Sequence, residues 1–520
     1  MGSAVQYFHE VTPDDLTGAY ICREARGPTG GPWLLQSHGW LDGRLQQGTL
    51  EEAAARCQPL RPETWPVVLL PPGIAFAGRG GRPQASPSTI RVPVARLREP
   101  VQGPPLLSLV FVRWGGKYRV GENDEVGADE GEGGWGKYGC PPSDYYMSAL
   151  VAQGVMAHPR LGCPGAGGAG GPALDFEIFS LFISGSTDAQ GIVPLAPRIA
   201  AHLKGRSRAS FWMLWPAEWE DWEAADYAGY VGTQPLFAAM RACEAAGIRS
   251  SFPHPADLYE LITSKVWMAM LAAQPEACLP AAVLVTKESF LRDPEAAARD
   301  ALAALGVVRR RRPSPVPGDQ RPWPSAVNKD GIRRGVVKVG WSWEARFVLF
   351  FTGEKQLQAR LREMLMVPSC LTTVCIVQEW VDFDFEVRLY FLPPANWAPG
   401  KRLLPERLEY NGWGPPSQGQ PGSFTKLSRA KCLSRWEQDE AALNSATEQA
   451  VEASQFLLAW LYAKCPEPVA MVRLDFMLLR VGPGVSRVVF GEFCEMGACC
   501  LAWAEGPPRI WRAALDYALR

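Results

Sequence analysis

Short apolar runs, each about as long as a β-strand, alternate with longer segments of helical periodicity along the second half of the chain. The apolar or β-branched runs include residues 335–339, 375–381 and 387–392. Apolar residues recur at helical spacing over 257–271 and 439–464, and an Ala-rich amphipathic helix is predicted over 293–305, ending at Gly306. The pattern predicts a mixed α/β protein in which the 439–464 helix packs behind the last strands.

The first half of the chain is divided by a glycine-rich run at 165–171, which is typical of a flexible linker. After this run, strands are predicted at 176–183 and 209–215, and a helical pattern over 220–246 is broken around Gly229, Gly232 and Pro235. Alternating strands and helices indicate a parallel α/β unit. A chain of 520 residues has room for about three domains. We predict an N-terminal domain of unclear role at 1–170, a small α/β domain at 171–255, a larger domain at 256–505 and a C-terminal helix at 506–520.

Composition excludes several classes of function. Hydrophobic residues make up 47% of the chain and charged residues 21%, which is ordinary for a globular protein. The net charge of −1 gives no electrostatic reason to expect nucleic acid or an anionic membrane as a partner. Thirteen cysteines and five histidines show no zinc spacing, and unpatterned cysteines suit a reducing compartment. No signal peptide or membrane-spanning run is evident, so we expect a cytoplasmic protein.

Charged residues interrupt the apolar strands near the end of the chain. Arg473 and Asp475 lie two residues apart, so on a strand their side chains point to the same face. Glu492 and Glu495 follow the next apolar run. Mg²⁺ prefers carboxylate oxygens and often also binds phosphates. The pattern therefore predicts a metal site that consists of Asp475 together with Glu492, Glu495 or both. Arg473 would stabilise negative charge beside it.

Further polar residues lie in or beside earlier strands. Lys338 lies within the 335–339 run, where burying an ammonium group is costly unless it meets an anion such as a phosphate. Taken alone, Lys338 could also be an edge residue with its head in water. The segment from Gln378 to Val381 ends the next apolar strand, and Glu386 lies at the start of another.

The order of these motifs along the chain resembles that of the ATP-grasp superfamily. The motifs are the lysine strand, the Gln378–Val381 segment, Glu386, Arg473-Leu474-Asp475-Phe476 and Gly491-Glu492-Phe493. The D-alanine–D-alanine ligases and related ATP-dependent carboxylate–amine ligases are its familiar members. Each motif is short, and their order across residues 252–504 carries the resemblance. The resemblance implies an ATP-grasp fold of two α+β lobes at 256–505, preceded by the small α/β domain and the additional N-terminal domain.

The resemblance also implies roles for single residues. Lys265 and Lys338 would contact the phosphates, and Glu386 would bind the ribose hydroxyls. Arg473 would be the phosphate arginine, and Asp475 and Glu492 would be the Mg²⁺ ligands. The adenine edge would be recognised by the hinge, which consists of Gln378, Glu379, Trp380 and Val381.

Two positions depart from the family pattern. The loop expected over the triphosphate, residues 340–346, contains two tryptophans and one glycine. Cys494 stands where many members carry asparagine, and a thiol is a poor ligand for Mg²⁺, so Glu495 is an alternative second ligand.

The function that the resemblance implies is an ATP- and Mg²⁺-dependent ligase. Such an enzyme joins a small-molecule carboxylate to an amine through an acyl phosphate and releases ADP and phosphate. A kinase on the same fold, a carboxylate–thiol ligase and a nucleotide-binding regulatory protein without turnover are alternatives. The sequence identifies neither the two substrates nor the oligomeric state.

Overall fold

The structure is a computed structural model, and it divides into two compact units. It describes residues 3–4, 20–26, 33–40, 93–94, 107–114, 176–183, 186–203, 206–211, 215–217, 230–311, 333–342, 347–367, 371–394, 396–414, 423–465, 469–494 and 506–519. Unit 1 comprises 1–216, 220–256 and 498–520, and unit 2 comprises 217–219 and 257–497. The mixed α/β class is confirmed, whereas the domain boundaries stay a prediction.

The first ten strands precede residue 253. They are β1 (Ser3–Ala4), β2 (Tyr20–Arg26), β3 (Trp33–Trp40), β4 (Pro93–Val94), β5 (Leu107–Trp114), β6 (Phe176–Ile183), β7 (Arg206–Phe211), β8 (Trp215–Ala217), β9 (Tyr230–Gly232) and β10 (Arg249–Phe252). Helices α1 (Ser186–His202) and α2 (Thr233–Ala245) lie among them, and helix α10 (Gly506–Ala518) closes the chain.

Unit 1 contains a six-stranded sheet in the order β10-β7-β5-β6-β2-β3. The four strands from β10 to β6 pair in parallel, and β2 and β3 add an antiparallel edge. Strand β6 matches its predicted bounds. The helical pattern over 220–246 was predicted to break around Gly229, Gly232 and Pro235. In the structure β9 lies at 230–232 and pairs with β8, and α2 begins at Thr233. Residues 218–229 lie outside the described residues.

Unit 2 contains the remaining elements. Its strands are β11 (Ala282–Thr286), β12 (Arg334–Lys338), β13 (Val348–Thr352), β14 (Val374–Glu379), β15 (Phe385–Phe391), β16 (Arg407–Gly414), β17 (Ser423–Leu427), β18 (Val472–Gly482) and β19 (Val485–Cys494). Its helices are α3 (Ala256–Ser264, whose first residue belongs to unit 1), α4 (Trp267–Leu271), α5 (Lys287–Arg292), α6 (Pro294–Arg311), α7 (Gly353–Leu365), α8 (Arg429–Arg435) and α9 (Glu440–Lys464).

Two antiparallel sheets organise unit 2. One has four strands in the order β11-β14-β12-β13, and the other has five in the order β17-β16-β15-β18-β19. One face of the five-stranded sheet is apolar, because alternate residues such as Val387, Leu389, Leu474 and Phe476 are buried in the main core. Helix α9 packs on this sheet against β18 and β19, as predicted.

The amino end of α9 is fixed by a capping residue. The Asp439 carboxylate accepts a hydrogen bond from the Ala442 N–H at 3.0 Å, which satisfies one of the donors left free by the first helical turn. The helix then runs to Lys464, which matches the predicted end.

Two predicted helices differ in the structure. The helix predicted over 257–271 is broken at Lys265, which has a φ of 59° between α3 and α4. The apolar spacing continues through the break, so the periodicity did not reveal it. Helix α6 continues past Gly306 to Arg311, because glycine weakens a helix without necessarily ending it.

The hairpin of β18 and β19 contains a bulge next to Asp475. Asp475 pairs with Glu492, whereas Phe476 pairs with Phe490, so Gly491 is the extra residue. The bulge allows Phe490 and Phe493, three positions apart, both to point into the apolar core. Glu492 therefore points to the opposite face.

Candidate active site

The second face of the five-stranded sheet carries polar side chains in rows that cross the strands. Residues paired directly across neighbouring strands present their side chains on the same face. The register places Arg388 opposite both Glu409 and Asp475, and Asp475 opposite Glu492. We call this surface the polar face, and define it by Glu386, Arg388, Tyr390, Glu409, Asn411, Arg473, Asp475 and Glu492.

Arg473 and Asp475 form a buried bidentate ion pair on β18. The Arg473 Nε and Nη2 donate to the two Asp475 carboxylate oxygens, each at 2.8 Å. The two residues are 3% and 4% exposed. Charge-assisted bonds of this geometry are strong and directional. The sequence placed these residues on one face, and the structure brings them into contact.

Arg388 is a site residue that the sequence analysis missed. It is buried, and its Nε lies 3.7 Å from the Asp475 Oδ2 while its Nη2 lies 3.7 Å from the Glu386 Oε2. Arg388 thus lies between Asp475, which was predicted to bind Mg²⁺, and Glu386, which was predicted to bind the ribose hydroxyls. The signal that could have identified it is a charged residue inside an otherwise apolar strand, which is the same signal that identified Lys338.

Lys265 lies at the edge of the polar face, in the turn between α3 and α4. Its Nζ lies 3.6 Å from the Glu492 Oε2 and donates to the Ser342 carbonyl at 3.0 Å. The Trp341 N–H donates to the Thr263 carbonyl at 2.8 Å. These bonds attach the segment after β12 to the turn that carries Lys265.

Gly340 is required where these two segments touch. A Cβ atom at this position would lie 2.4 Å from the Ser264 backbone oxygen, which is closer than real Cβ atoms approach backbone. The absence of a side chain therefore allows the segment after Lys338 to lie directly on the Lys265 turn, which holds the two predicted phosphate lysines together.

Lys338 ends β12 and lies near the same carboxylates. Burial lowers the pKa of its ammonium group to about 8, and the neighbouring Lys265 acts in the same direction, while Glu492 and Glu386 oppose the shift. A lysine whose charge is this costly is a suitable partner for an anion that arrives with a ligand.

Glu386 and Glu492 have shifted pKa values in opposite directions. Burial raises the pKa of Glu386 to about 7, and Arg388 only partly offsets this. Burial also opposes the charge of Glu492, but Lys265, Arg473 and other cations outweigh it, so the pKa of Glu492 lies below its usual value. At neutral pH Glu492 is thus an anion, whereas Glu386 is close to half-protonated.

The predicted hinge lies at the end of β14. The Glu379 N–H donates to the Ala281 carbonyl and the Trp380 N–H donates to the Arg334 carbonyl, so both are used inside the four-stranded sheet. The buried Glu379 carboxylate lies 3.7 Å from Arg309 Nη1 and 3.8 Å from Arg333 Nη1.

Two other hinge side chains face the site. Gln378 pairs with Val336, so it shares a face with Lys338, and its amide nitrogen is buried without a hydrogen-bond partner among the described residues. Val381 packs in a small apolar cluster with Leu479 and Val489, and Met477 borders it. Met477 lies directly opposite Glu386, so this cluster adjoins the polar face.

Two carboxylates on the polar face have the donor chemistry of a Mg²⁺ site. Asp475 and Glu492 offer hard oxygen donors at directly paired positions. Enzymes commonly hold Mg²⁺ by one or two carboxylates together with the phosphates of a substrate. No cluster of three or more His, Cys, Asp or Glu ligands occurs among the described residues. The donor chemistry fits Mg²⁺ shared with a phosphate. Glu495 and loop residues 343–346 lie outside the described residues.

Comparison with known proteins gives structural neighbours only. No protein-family model matches the chain, and no curated protein matches it significantly. It is similar to D-cycloserine synthetase DcsG, with 16% identity, 64% of this chain and 95% of that chain covered, and a TM-score of 0.34. It is also similar to D-alanyl-alanine synthetase A of Vibrio cholerae O1 biovar eltor, with 9% identity, 80% and 100% covered, and a TM-score of 0.39.

A third similar structure is the D-alanine–D-alanine ligase of Bacillus anthracis complexed with ATP, with 10% identity, 79% and 96% of the two chains covered, and a TM-score of 0.37. All three of these proteins are synthetases or ligases. TM-scores this low do not carry a functional assignment, which rests on the side chains of this protein. Within the described part of the chain, no helix combines the length and apolarity needed to cross a membrane.

Proposed function

We propose that this protein is an ATP- and Mg²⁺-dependent ligase that joins a carboxylate to an amine through an acyl phosphate. The observation that carries the proposal is the convergence of Lys265, Lys338 and Arg473 on Asp475 and Glu492. The first lysine lies 3.6 Å from Glu492, and the arginine is bonded to Asp475. Several cations around two carboxylates form a site for a metal-bound polyphosphate.

The polar face suggests how the nucleotide would lie. The apolar cluster of Val381, Leu479 and Val489 offers a surface for the base beside the hinge. Glu386, opposite Met477, is positioned next to that surface for ribose hydroxyls. The phosphates would then extend toward Lys338 and Lys265. The Gln378 amide nitrogen, which lacks a partner among the described residues, would donate a hydrogen bond to the base.

The reaction needs no protein nucleophile. A substrate carboxylate attacks the γ-phosphorus of ATP, the bond to the β-phosphate oxygen breaks, and ADP leaves. The amine then attacks the carbonyl carbon of the acyl phosphate, and phosphate leaves as the amide forms. Lys338 and Lys265 would neutralise the phosphate charge, and Arg473 would stabilise the oxyanion of the tetrahedral intermediate.

The carboxylates would hold the metal. Asp475 and Glu492 are the proposed Mg²⁺ ligands, with Glu495 the alternative to Glu492. When bound, the ion would supply charge neutralisation between the β- and γ-phosphates. Since Arg473 bonds both Asp475 oxygens, it also fixes the orientation of that carboxylate.

The experiment incubates the protein with ATP, Mg²⁺ and a pool of amino acids and assays ADP and phosphate. We expect both products to form only when a carboxylate substrate is present, and ¹⁸O in that carboxylate to appear in the released phosphate. Asp475→Asn and Glu492→Gln should abolish turnover while nucleotide binding without Mg²⁺ persists. Asp300→Asn, at an exposed position of α6, is the matched control.

Other products would contradict the proposal in distinct ways. ADP with a stable phosphorylated alcohol would indicate a kinase, and a thioester product would indicate a carboxylate–thiol ligase. Tight ATP binding without any turnover would indicate a regulatory protein. If Glu495→Gln is damaging while Glu492→Gln is mild, Glu495 is the metal ligand. Full turnover in all three acidic variants would refute the metal site.

A further inference from the structure

The polar face continues beyond the proposed phosphate site onto β16, which carries the buried Asn411. Asn411 pairs directly with Glu386, so its side chain lies on the polar face. It is 1% exposed, and neither its amide nitrogen nor its amide oxygen has a hydrogen-bond partner among the described residues. A buried amide left unsatisfied costs free energy that a ligand with both a donor and an acceptor would recover.

Glu409 lies two residues before Asn411 on the same strand and the same face. It is 4% exposed, and its Oε2 accepts a hydrogen bond from the Tyr390 hydroxyl at 3.1 Å. Its Oε1 has no hydrogen-bond partner within the described residues, and the Arg407 Nε lies 3.6 Å from it. One carboxylate oxygen is thus held in place while the other can accept a hydrogen bond.

We propose that Glu409 and Asn411 form the subsite for the amine substrate, and that this substrate is a primary amine bound as its ammonium ion. The inference rests on the proposed ligase function. A primary ammonium group supplies N–H donors for both the Glu409 Oε1 and the Asn411 oxygen. The Asn411 nitrogen can donate to an acceptor elsewhere on the same molecule, as in an amino acid.

The order of the strands supports this placement. Neighbouring strands are about 5 Å apart, so the row from Glu492 through Asp475 and Arg388 to Glu409 crosses about 15 Å. Phosphate held over β18 and β19 would place the acyl carbon near Arg388 on β15. An amine held over β16 would then lie next to that carbon, where it can approach one face of the carbonyl group.

The subsite also accounts for the protons. An ammonium ion must lose two protons to become an amide nitrogen. The Glu409 Oε1 accepts the first, which frees the lone pair that forms the C–N bond. The second is lost as the C–O bond to phosphate breaks, and it leaves with the phosphate. Glu409 then returns its proton to solvent.

The test separates acyl phosphate formation from amine capture. The protein is incubated with ATP, Mg²⁺ and the twenty common amino acids, and hydroxylamine at high concentration traps any acyl phosphate as a hydroxamate. In parallel, the amide product is measured by mass spectrometry without hydroxylamine. The variants are Glu409→Gln and Asn411→Leu. Glu406→Gln is the control, because Glu406 is an exposed glutamate three residues from Glu409.

We expect both subsite variants to retain most hydroxamate formation and the wild-type KM for ATP. Amide formation should fall by about tenfold or more. The KM for the amine should rise, because each variant removes an interaction with that substrate and with no other. Asn411→Leu should unfold at a higher urea concentration than the wild type, since it removes a buried amide that has no hydrogen-bond partner among the described residues. Glu406→Gln should match the wild type.

Three results would overturn the inference. Equal losses of hydroxamate and amide would place Glu409 and Asn411 in carboxylate activation. Unchanged amide formation in both variants would show that they are only part of the fold. A wild-type protein that forms no hydroxamate would refute the proposed ligase function, and the subsite with it.

Discussion

Replacing Glu386 by glutamine should stabilise the protein, and by an amount that depends on pH. The side chain is half-buried on the polar face, and burial raises its pKa from 4.5 to about 7, with Asp475 and Glu492 adding to the shift and Arg388 opposing it. Glutamine has nearly the same shape and no charge to desolvate.

The sign and size of the effect follow from linkage. The folded state holds the proton of Glu386 more tightly than the unfolded state, so the free energy of unfolding falls as pH rises from 4.5 to about 7. Each unit of pKa shift corresponds to about 1.4 kcal/mol. Glu386→Gln should therefore stabilise the protein by up to about 3 kcal/mol at pH 8 and by almost nothing at pH 4.

Urea unfolding followed by tryptophan fluorescence at about pH 4 and about pH 8 measures this difference. Glu448→Gln makes the same chemical change at an exposed position of α9 and is the matched control. The reasoning is wrong if Glu386→Gln is less stable than the wild type at the higher pH, or if its advantage is the same at both. A lower affinity for ATP in the stabilised variant would support the proposed contact with ribose.

Two further predictions concern the lysine that ends β12 and the glycine that follows it. Lys338→Ala should weaken binding of a non-hydrolysable ATP analogue at least about tenfold, since a charge-assisted bond contributes roughly 1.5–3 kcal/mol. Because the pKa of Lys338 is about 8, the affinity of the wild type for the analogue should fall as pH rises from about 7 to 9. Calorimetry should find no such fall in Lys338→Arg. Equal affinities of the wild type and Lys338→Ala would make Lys338 an ordinary edge residue. Gly340→Ala should cost about 1–3 kcal/mol by overpacking against Ser264, measured as a lower urea midpoint. Gly482→Ala is the control, because among the described residues no atom beyond its chain neighbours lies within 4 Å of the added Cβ. Equal effects of the two changes would refute the close-contact argument.

The local part of the site could be predicted from the sequence because it depends on strand periodicity alone. Arg473 and Asp475 are two residues apart on one strand, and the structure shows them bonded. The pairing of different strands depends on the tertiary fold, which no local pattern encodes. The sequence analysis therefore assigned no role in the site to Arg388, Glu409 or Asn411. Their importance becomes visible only in the register that aligns them with Asp475 and Glu386.

The helical errors have a similar physical origin. Apolar spacing continues from α3 into α4, so the pattern did not show that Lys265 adopts a left-handed backbone conformation between them. The bonds that accompany this break come from residues 341 and 342, more than seventy positions away, and involve Thr263 and Lys265. The end predicted at Gly306 failed because helix propensity is a weak local preference that tertiary contacts override.

The bulge at Gly491 constrains how this protein can change length during evolution. A strand that kept Gly491 without a bulge would alternate strictly, so either Glu492 or the aromatic residues beside it would point to the wrong side of the sheet. A larger residue at this position would approach the Asp475 carbonyl oxygen, which lies 3.1 Å from a Cβ placed on Gly491. One more residue elsewhere in β18 or β19 would need a bulge of its own to keep these side chains on their faces. Insertions between Arg473 and Glu492 should therefore accumulate in the turn at Pro483 and Gly484.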